Sequence, residues 1–365
     1  MEIRLILKTH YQINKPGIFS ILLRKCTSPN QSNYPETISN KLSSIHFESI
    51  SLNKESAKFA VAMAQSFGFI TKNMFWNWKG HSINLLLDET NREKPDDFLK
   101  LTPIENLLYL KYYLEADGAT ILEICKRLYS KGSISRIELL SSDFIDQIFI
   151  DIWGSYRQLT DDLREKTSLR QSIDRLRSKP YTFKTRIHKA LAHIEPLVDF
   201  NFIDRKEEKK EVFFIPKVTN GVSAIERLSR EINNIEDMEA RFSRYQFFEI
   251  INNVYNMNSI SYDPEIHLDL LRREIVKSYL QARTEPSNMA SIATISDIIS
   301  VRMLQERGIL IDRPQVENEL NKLKYAFNSD VRYHLDMSGK RAFIILSDRL
   351  CKISSSCSNT DSKAP

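Results

Sequence analysis

The sequence predicts a mainly α-helical protein of the α+β class, with small β-hairpins that follow helices directly. Three observations carry this expectation. Over Arg313 to Leu346 the apolar period changes from 3.6 to 2 with no long loop between. The 365 residues include only nine glycines, few for a loop-rich sandwich. The same helix-then-hairpin order is readable at two earlier places in the chain.

In the N-terminal third, a helix is expected from about Asn53 to Ser66, with Phe59, Met63 and Phe67 as its buried stripe and Gly68 as terminator. "MFWNWKGHSINLLL" then reads as a hairpin turning at Lys79-Gly80. "PIENLLYLKYYLEADGATILEICKRLYSKG" gives two helices separated near Asp117-Gly118. In the middle, Ile187, Leu191, Ile194 and Val198 form a helical stripe. "FNFID" and "EVFFIP" are strands around the charged tip "RKEEKK", and Pro196 is expected to kink or break the helix. From about Ser223 to Tyr255, Ile225, Leu228, Ile232, Ile235, Phe242, Tyr245 and Phe248 recur like a heptad seam, which suits a core helix or a dimerisation helix. "YDPEIHLDLLRREIVKSYLQAR" adds an amphipathic helix begun by Asp263-Pro264, and an apolar run from Ile295 to Leu304 is closed by Gly308.

The last helix places Val316, Leu320, Leu323 and Phe327 on one face, with Asp312 as N-cap and Pro314 in the first turn. Val331, Tyr333 and Leu335 then alternate with Arg332, His334 and Asp336, Gly339 suits a tight turn, and "AFIIL" completes a second strand. Helix, turn, helix, hairpin is the order of a winged helix, and this stretch resembles that superfamily. The expectation is therefore tandem winged-helix modules joined by long helices. Residues 1–95 form the first module, 96–160 a helical region, and 161–220 a basic helix with the middle module. Residues 221–285 are long helices for linking or dimerisation, 286–350 the third module and 351–365 a disordered tail.

Catalytic patterns are scarce. No GxG, CxxC, HExxH or GxSxG occurs, so neither a phosphate-cradling loop nor a familiar metal or nucleophile motif can be built, and no cofactor is expected. Cys26, Cys125, Cys351 and Cys357 have no paired spacing and read as reduced thiols of a cytosolic protein. No run approaches the ~20 apolar residues of a membrane span. His188 and His193 are five apart and point away from each other on a helix. A metal-dependent nuclease is a minor alternative, from Asp199, Asp204 and Glu207-Glu208-Lys209-Lys210, but the six charges of "RKEEKK" suit a solvated turn better.

Charge is concentrated in one segment. Arg164, Lys166, Arg170, Arg175, Arg177, Lys179, Lys184, Arg186 and Lys189 face only Glu165 and Asp174, a local net charge of +7 in a chain of +5. Such a stripe leading into a helix-turn-helix suits phosphate neutralisation and counterion release. The winged-helix resemblance implies that recognition helices enter a DNA groove while wings touch the backbone. The expected DNA-binding residues are Arg170, Arg175, Arg177, Lys179, Lys184, Arg186 and Lys189 of the middle module. From the third they are Arg313, Gln315, Asn318 and Lys322 of the helix with Lys340 and Arg341 of the wing. Glu317 and Glu319 weaken that helix as a phosphate binder. The expected function is a non-catalytic DNA-binding subunit with duplex DNA as partner. The other class is a protein–protein scaffold, kleisin-like or PCI-like, assembling through 223–255. Usage rich in Ile, Asn, Lys and Ser suggests a prokaryotic or phage-related source, where regulatory, mobile-element and antiviral systems use such modules by analogy.

Overall fold

The computed structural model describes residues 15–27, 34–88, 92–140, 144–159, 164, 166–167, 170–171, 174, 183–219, 221–336 and 339–356. At 88, 140, 183–189 and 353–356 it describes the backbone alone. The chain is mainly helical with small sheets.

The first helices are α1 (Gly17–Ile21), continued by a π-helical turn over Leu22–Cys26, α2 (Pro35–Ser43), α3 (Lys54–Ser66), α4 (Trp78–Asp88) and α5 (Pro95–Phe98). Asn53 caps α3 by accepting from the Ser56 N–H at 2.8 Å, and Met63 and Phe67 are buried as their spacing requires. The hairpin expected at Lys79-Gly80 is absent. Those residues open α4 instead, and the only pairing there is the single bridge between Ile70 and Trp76. Gly80 serves close approach rather than a turn, because a Cβ there would lie 2.3 Å from the Phe69 carbonyl oxygen. The run "SINLLL" satisfies helix and strand alike, and its burial on neighbouring helices decides for helix.

The next unit begins with α6 (Pro103–Lys131), which is continuous but kinked where Asp117 leaves helical geometry at φ −136° and ψ 23°. The break expected near Asp117-Gly118 is thus a kink. Gly118 admits the neighbouring Met238 and Phe242, each of which would stand 3.1 Å from an added Cβ. Then come β1 (Ile134–Ser135), α7 (Arg136–Leu140), α8 (Phe144–Leu159), α9 (Phe183–Asp199), β2 (Ile203–Glu208) and β3 (Glu211–Pro216). The antiparallel sheet has the order β1-β3-β2. Arg205 to Glu208 are strand residues, and the turn is Lys209-Lys210 alone, both with positive φ, the two-residue hairpin geometry that matches strand twist. Pro196 does not break α9, which continues to Asp199; it lies in the last turn, so the missing N–H bond and the ring's crowding of the Ala192 carbonyl fall at the helix end.

After the β4–β5 hairpin (Val218–Thr219, Val222–Ser223), the seam from Ser223 to Tyr255 is three helices rather than one. They are α10 (Ala224–Glu231), α11 (Ile235–Ser243) and α12 (Phe247–Tyr255), broken at Asn234 and at Tyr245, which has positive φ. Ile225, Leu228, Ile232, Ile235, Phe242 and Phe248 are buried within the chain, and only Tyr245 is exposed.

The last unit comprises α13 (Pro264–Ala282), β7 (Ala290–Ser291), α14 (Ile292–Arg307), β8 (Ile309–Leu310), α15 (Arg313–Ala326), β9 (Val331–Leu335), β10 (Arg341–Leu346) and α16 (Asp348–Ser356). Its sheet runs β7-β10-β9, the first-third-second order of the earlier sheet. β8 also pairs in parallel with β6 (Ile260–Ser261). Helix α13, assigned by its sequence to a linking region, packs Leu271, Ile275 and Tyr279 into this unit's core. The disordered tail expected over 351–365 is helical over its first part, since α16 continues to Ser356 and Leu350 and Cys351 are buried in that core; residues 357–365 lie outside the described residues. Val316, Leu320 and Leu323 are buried as expected, whereas Phe327 is 40% exposed because α15 ends at Ala326 and the chain turns away.

Helix α14 joins the two cores. Ile295, Ile299 and Met303 belong to the C-terminal core, while Val301 and Leu304 belong to the larger core of residues 18–254. A helix enclosed on all sides must also bury polar groups, and Asp297 and Arg302 are 2% and 1% exposed. Lys111 of α6 donates to both Asp297 oxygens at 2.8 and 2.9 Å, and Tyr112 donates to Oδ2 at 2.8 Å. Burial pushes the Asp297 carboxyl above its usual range, and Lys111 at both oxygens pulls it back.

Two stability outcomes follow. Leu320→Ala should lower the unfolding free energy by ~2–5 kcal/mol in urea titration, while Phe327→Ala should change it by under ~1 kcal/mol. Lys111→Met or Asp297→Leu alone should cost ~3–5 kcal/mol by leaving a buried charge unpaired. The double variant should recover most of that loss, and equal damage in single and double variants would assign the strain to packing instead.

Candidate functional site

Helix α15 and the β9–β10 hairpin place the expected residues of the last unit on one side of the molecule. Asp312 is the N-cap residue, and its N–H donates to Gln315 Oε1 at 3.1 Å. Its carboxylate reaches across to accept from the Phe248 N–H at 3.2 Å, at the start of α12. Burial pushes this carboxyl up to about 7 with a further push from Glu249, while the Phe248 N–H and Lys111 hold it down.

One face of α15 buries Val316, Leu320 and Leu323; the other exposes Gln315, Asn318, Asn321, Lys322 and Tyr325. The two acids that weakened this helix as an anion binder are both engaged. Glu319 is buried against the Arg272 Nε at 2.7 Å, with Lys322 at 3.8 Å. Glu317 accepts from the Arg313 Nε at 2.6 Å. The exposed face is therefore polar and weakly positive.

Asn321 joins helix to hairpin, accepting from Arg341 at 2.8 Å and from the Tyr333 hydroxyl at 3.1 Å. The Arg341 guanidinium also lies 4.8 Å from the Tyr333 ring centre. Asn321 is not among the residues singled out from the sequence; its place three residues after Asn318 was the available signal. Tyr325, 94% exposed and four residues further on, shares that face.

Arg313, Lys340 and Arg341 line a cleft of about 490 Å³ between the hairpin and residues 76–81. Gln315 is partly committed to the cap, and Asn318 and Lys322 stand on the adjacent open helix face. In the middle unit, Lys184, Arg186 and Lys189 lie on α9, with side chains outside the described residues. Arg175, Arg177 and Lys179 lie outside the described residues altogether. Arg170 is exposed, 3.5 Å from Asp174.

The carboxylates, histidine and thiols of the other chemistries are placed as follows among the described residues. Asp199 pairs with Lys15 at 3.4 Å, Asp204 faces Lys217 at 3.9 Å, and Glu208 leads into the Lys209-Lys210 turn. No group of three His, Cys, Asp or Glu side chains suited to a metal occurs among the described residues. His193 is buried against Asp117, with Nδ1 2.5 Å from its Oδ2. Cys26, Cys125 and Cys351 are unbridged and buried, and burial pushes the Cys26 thiol up to about 12, away from the nucleophilic form. No described helix is long and apolar enough to cross a membrane. In comparisons with known proteins, no family model, no curated protein and no solved structure matches the chain.

The Asp312 carboxyl sets a pH dependence. Its folded pKa of about 7 lies above the usual 3.8, so its contribution to stability is full below pH ~4 and is lost as pH rises to ~7. Asp312→Asn should therefore raise the melting temperature relative to the parent more at pH 8 than at pH 5. An equal shift at both pH values would show that the carboxyl titrates normally.

Proposed function

We propose that the chain is a non-catalytic DNA-binding protein with two winged-helix units, Pro103–Pro216 and Pro264–Leu346. Supporting the winged-helix assignment, each unit has a helix, a short strand, further helices and a hairpin, and both sheets share the first-third-second order. The first unit differs by an insertion between α7 and α9 that carries α8 and the first part of the basic segment, up to Lys179 in the sequence. One observation carries the DNA reading: the open face of α15 offers Gln315, Asn318 and Lys322 beside the hairpin cations, while Glu317 and Glu319 are paired away from it. In this reading α15 enters the major groove, Lys340 and Arg341 meet the backbone, and the basic residues around α9 hold a second stretch of phosphates. The 223–255 segment supports the DNA reading over a scaffold only indirectly, since its apolar residues are used inside the chain.

Binding to duplex DNA, followed by anisotropy against salt, tests this. Four to six phosphate contacts give a log–log slope of about −4 to −5. Reversing Lys184, Arg186 and Lys189 to Glu should flatten the slope and weaken every sequence alike, whereas Asn318→Ala should change preference among sequences. An unchanged slope after the triple reversal removes the basic segment from the interface. No binding at ~100 mM salt, with a co-purifying protein instead, would favour the scaffold.

A further inference from the structure

The cleft lined by Arg313, Lys340 and Arg341 has walls that duplex binding does not use. Trp76 comes from the turn before α4, Trp78 opens α4, and Phe343 comes from β10. Phe343 is 38% exposed and both tryptophans are half-buried. His81 packs edge-on against Trp76 with ring centres 5.3 Å apart, and burial lowers its pKa. The cleft therefore combines flat rings on the wall of the larger body with cations on the hairpin side.

The charges around it are unequal. Asp336 is the one carboxylate among the described lining residues, and its Oδ1 accepts from the Lys340 N–H at 3.0 Å within its own turn. Arg313 commits its Nε to Glu317, and Arg341 commits one terminal nitrogen to Asn321. The Lys340 ammonium has no side-chain partner among the described residues. Ala293 and Thr294, in the first turn of the 16-residue helix α14, also line the cleft, so the positive end of that helix opens into it.

We propose that this cleft binds an unpaired nucleotide, with its base against Trp76, Trp78 and Phe343 and its phosphate at Lys340, flanked by Arg313 and Arg341. A divalent cation is disfavoured by three cations against one carboxylate. A purely apolar ligand would desolvate those cations without compensation. A volume of about 490 Å³ at the junction of two bodies lies within the ~300–1,000 Å³ range of small-ligand sites. Base–aromatic stacking tolerates any base, and a neutral His81 can meet a polar ring edge. The site shares Lys340 and Arg341 with the proposed backbone contact, but none of Gln315, Asn318 and Lys322 lines it, so stacking on its rings is tested separately from the duplex reading.

The chain has three tryptophans, and two of them line the cleft, so stacking should quench its fluorescence. The full chain carrying Trp153→Phe, which leaves only the cleft pair, is titrated with dAMP, with a single-stranded oligodeoxynucleotide and with inorganic phosphate. We expect saturable quenching by a nucleotide and none by phosphate alone. Lys340→Ala and Phe343→Ala, both at exposed positions, should each weaken it ~5–10-fold. Asn318→Ala, which tests the duplex reading, should leave it unchanged. Saturation by dAMP assigns a diffusible nucleotide, and saturation by the oligonucleotide alone assigns an unpaired strand. No quenching by either, equal quenching by phosphate, or quenching indifferent to both cleft substitutions overturns the proposal.

Discussion

The architecture depends on the burial of α14 between two cores. A helix with one apolar face can be covered by one neighbour, but α14 presents Ile295 and Ile299 to one core and Val301 and Leu304 to the other. Its remaining positions include Asp297, which a helix in that location tolerates only with a partner. Lys111 and Tyr112 supply it from the middle of α6, the element around which the larger body is built. Thr294 adds a hydrogen bond to the Trp78 carbonyl at 3.1 Å, and Asp312 one to α12. These polar contacts set the orientation between bodies that apolar packing alone leaves loosely specified. The cleft beside Trp78 and the outward direction of α15 both follow from it.

Electrostatics on α15 illustrate why charge counted along a sequence misleads. A helix with Glu317 and Glu319 among its basic residues reads as poorly suited to an anion. In the fold, Glu319 turns inward to Arg272 of α13 and Glu317 folds back on Arg313. The acidic side chains hold the helix in place, and the open face is left to amides and Lys322. Position on the helical wheel separates the two sets; sequence distance does not.

Helical positions with strong periodicity were legible in advance: α3, the apolar run of α14, and Val316, Leu320 and Leu323 of α15 lie where spacing put them, while Phe327 falls past the end of its helix. The last hairpin and its Gly339 turn were legible as well, because the period change is abrupt. Three features were not. "WKGHSINLLL" suits strand or helix, and only tertiary packing, the burial of Ile83, Leu86 and Leu87 and the Phe69 backbone against Gly80, distinguishes them. The seam from Ile225 to Phe248 keeps helical spacing through two breaks, since the chain turns at Asn234 and Tyr245 without losing phase. The cleft was invisible, because Trp76 and Phe343 are brought together only by packing across α14.

Because one helix closes both cores, the two parts of the chain are not interchangeable cassettes. A recombination event that carried residues 264–356 into another gene would bring Val301 and Leu304 without the surface that covers them, and Asp297 without Lys111. The reciprocal event would leave Lys111 without Asp297 and uncover the apolar groove that α14 fills. The joint of Lys111, Asp297 and the two apolar faces of α14 therefore has to be exchanged whole or not at all.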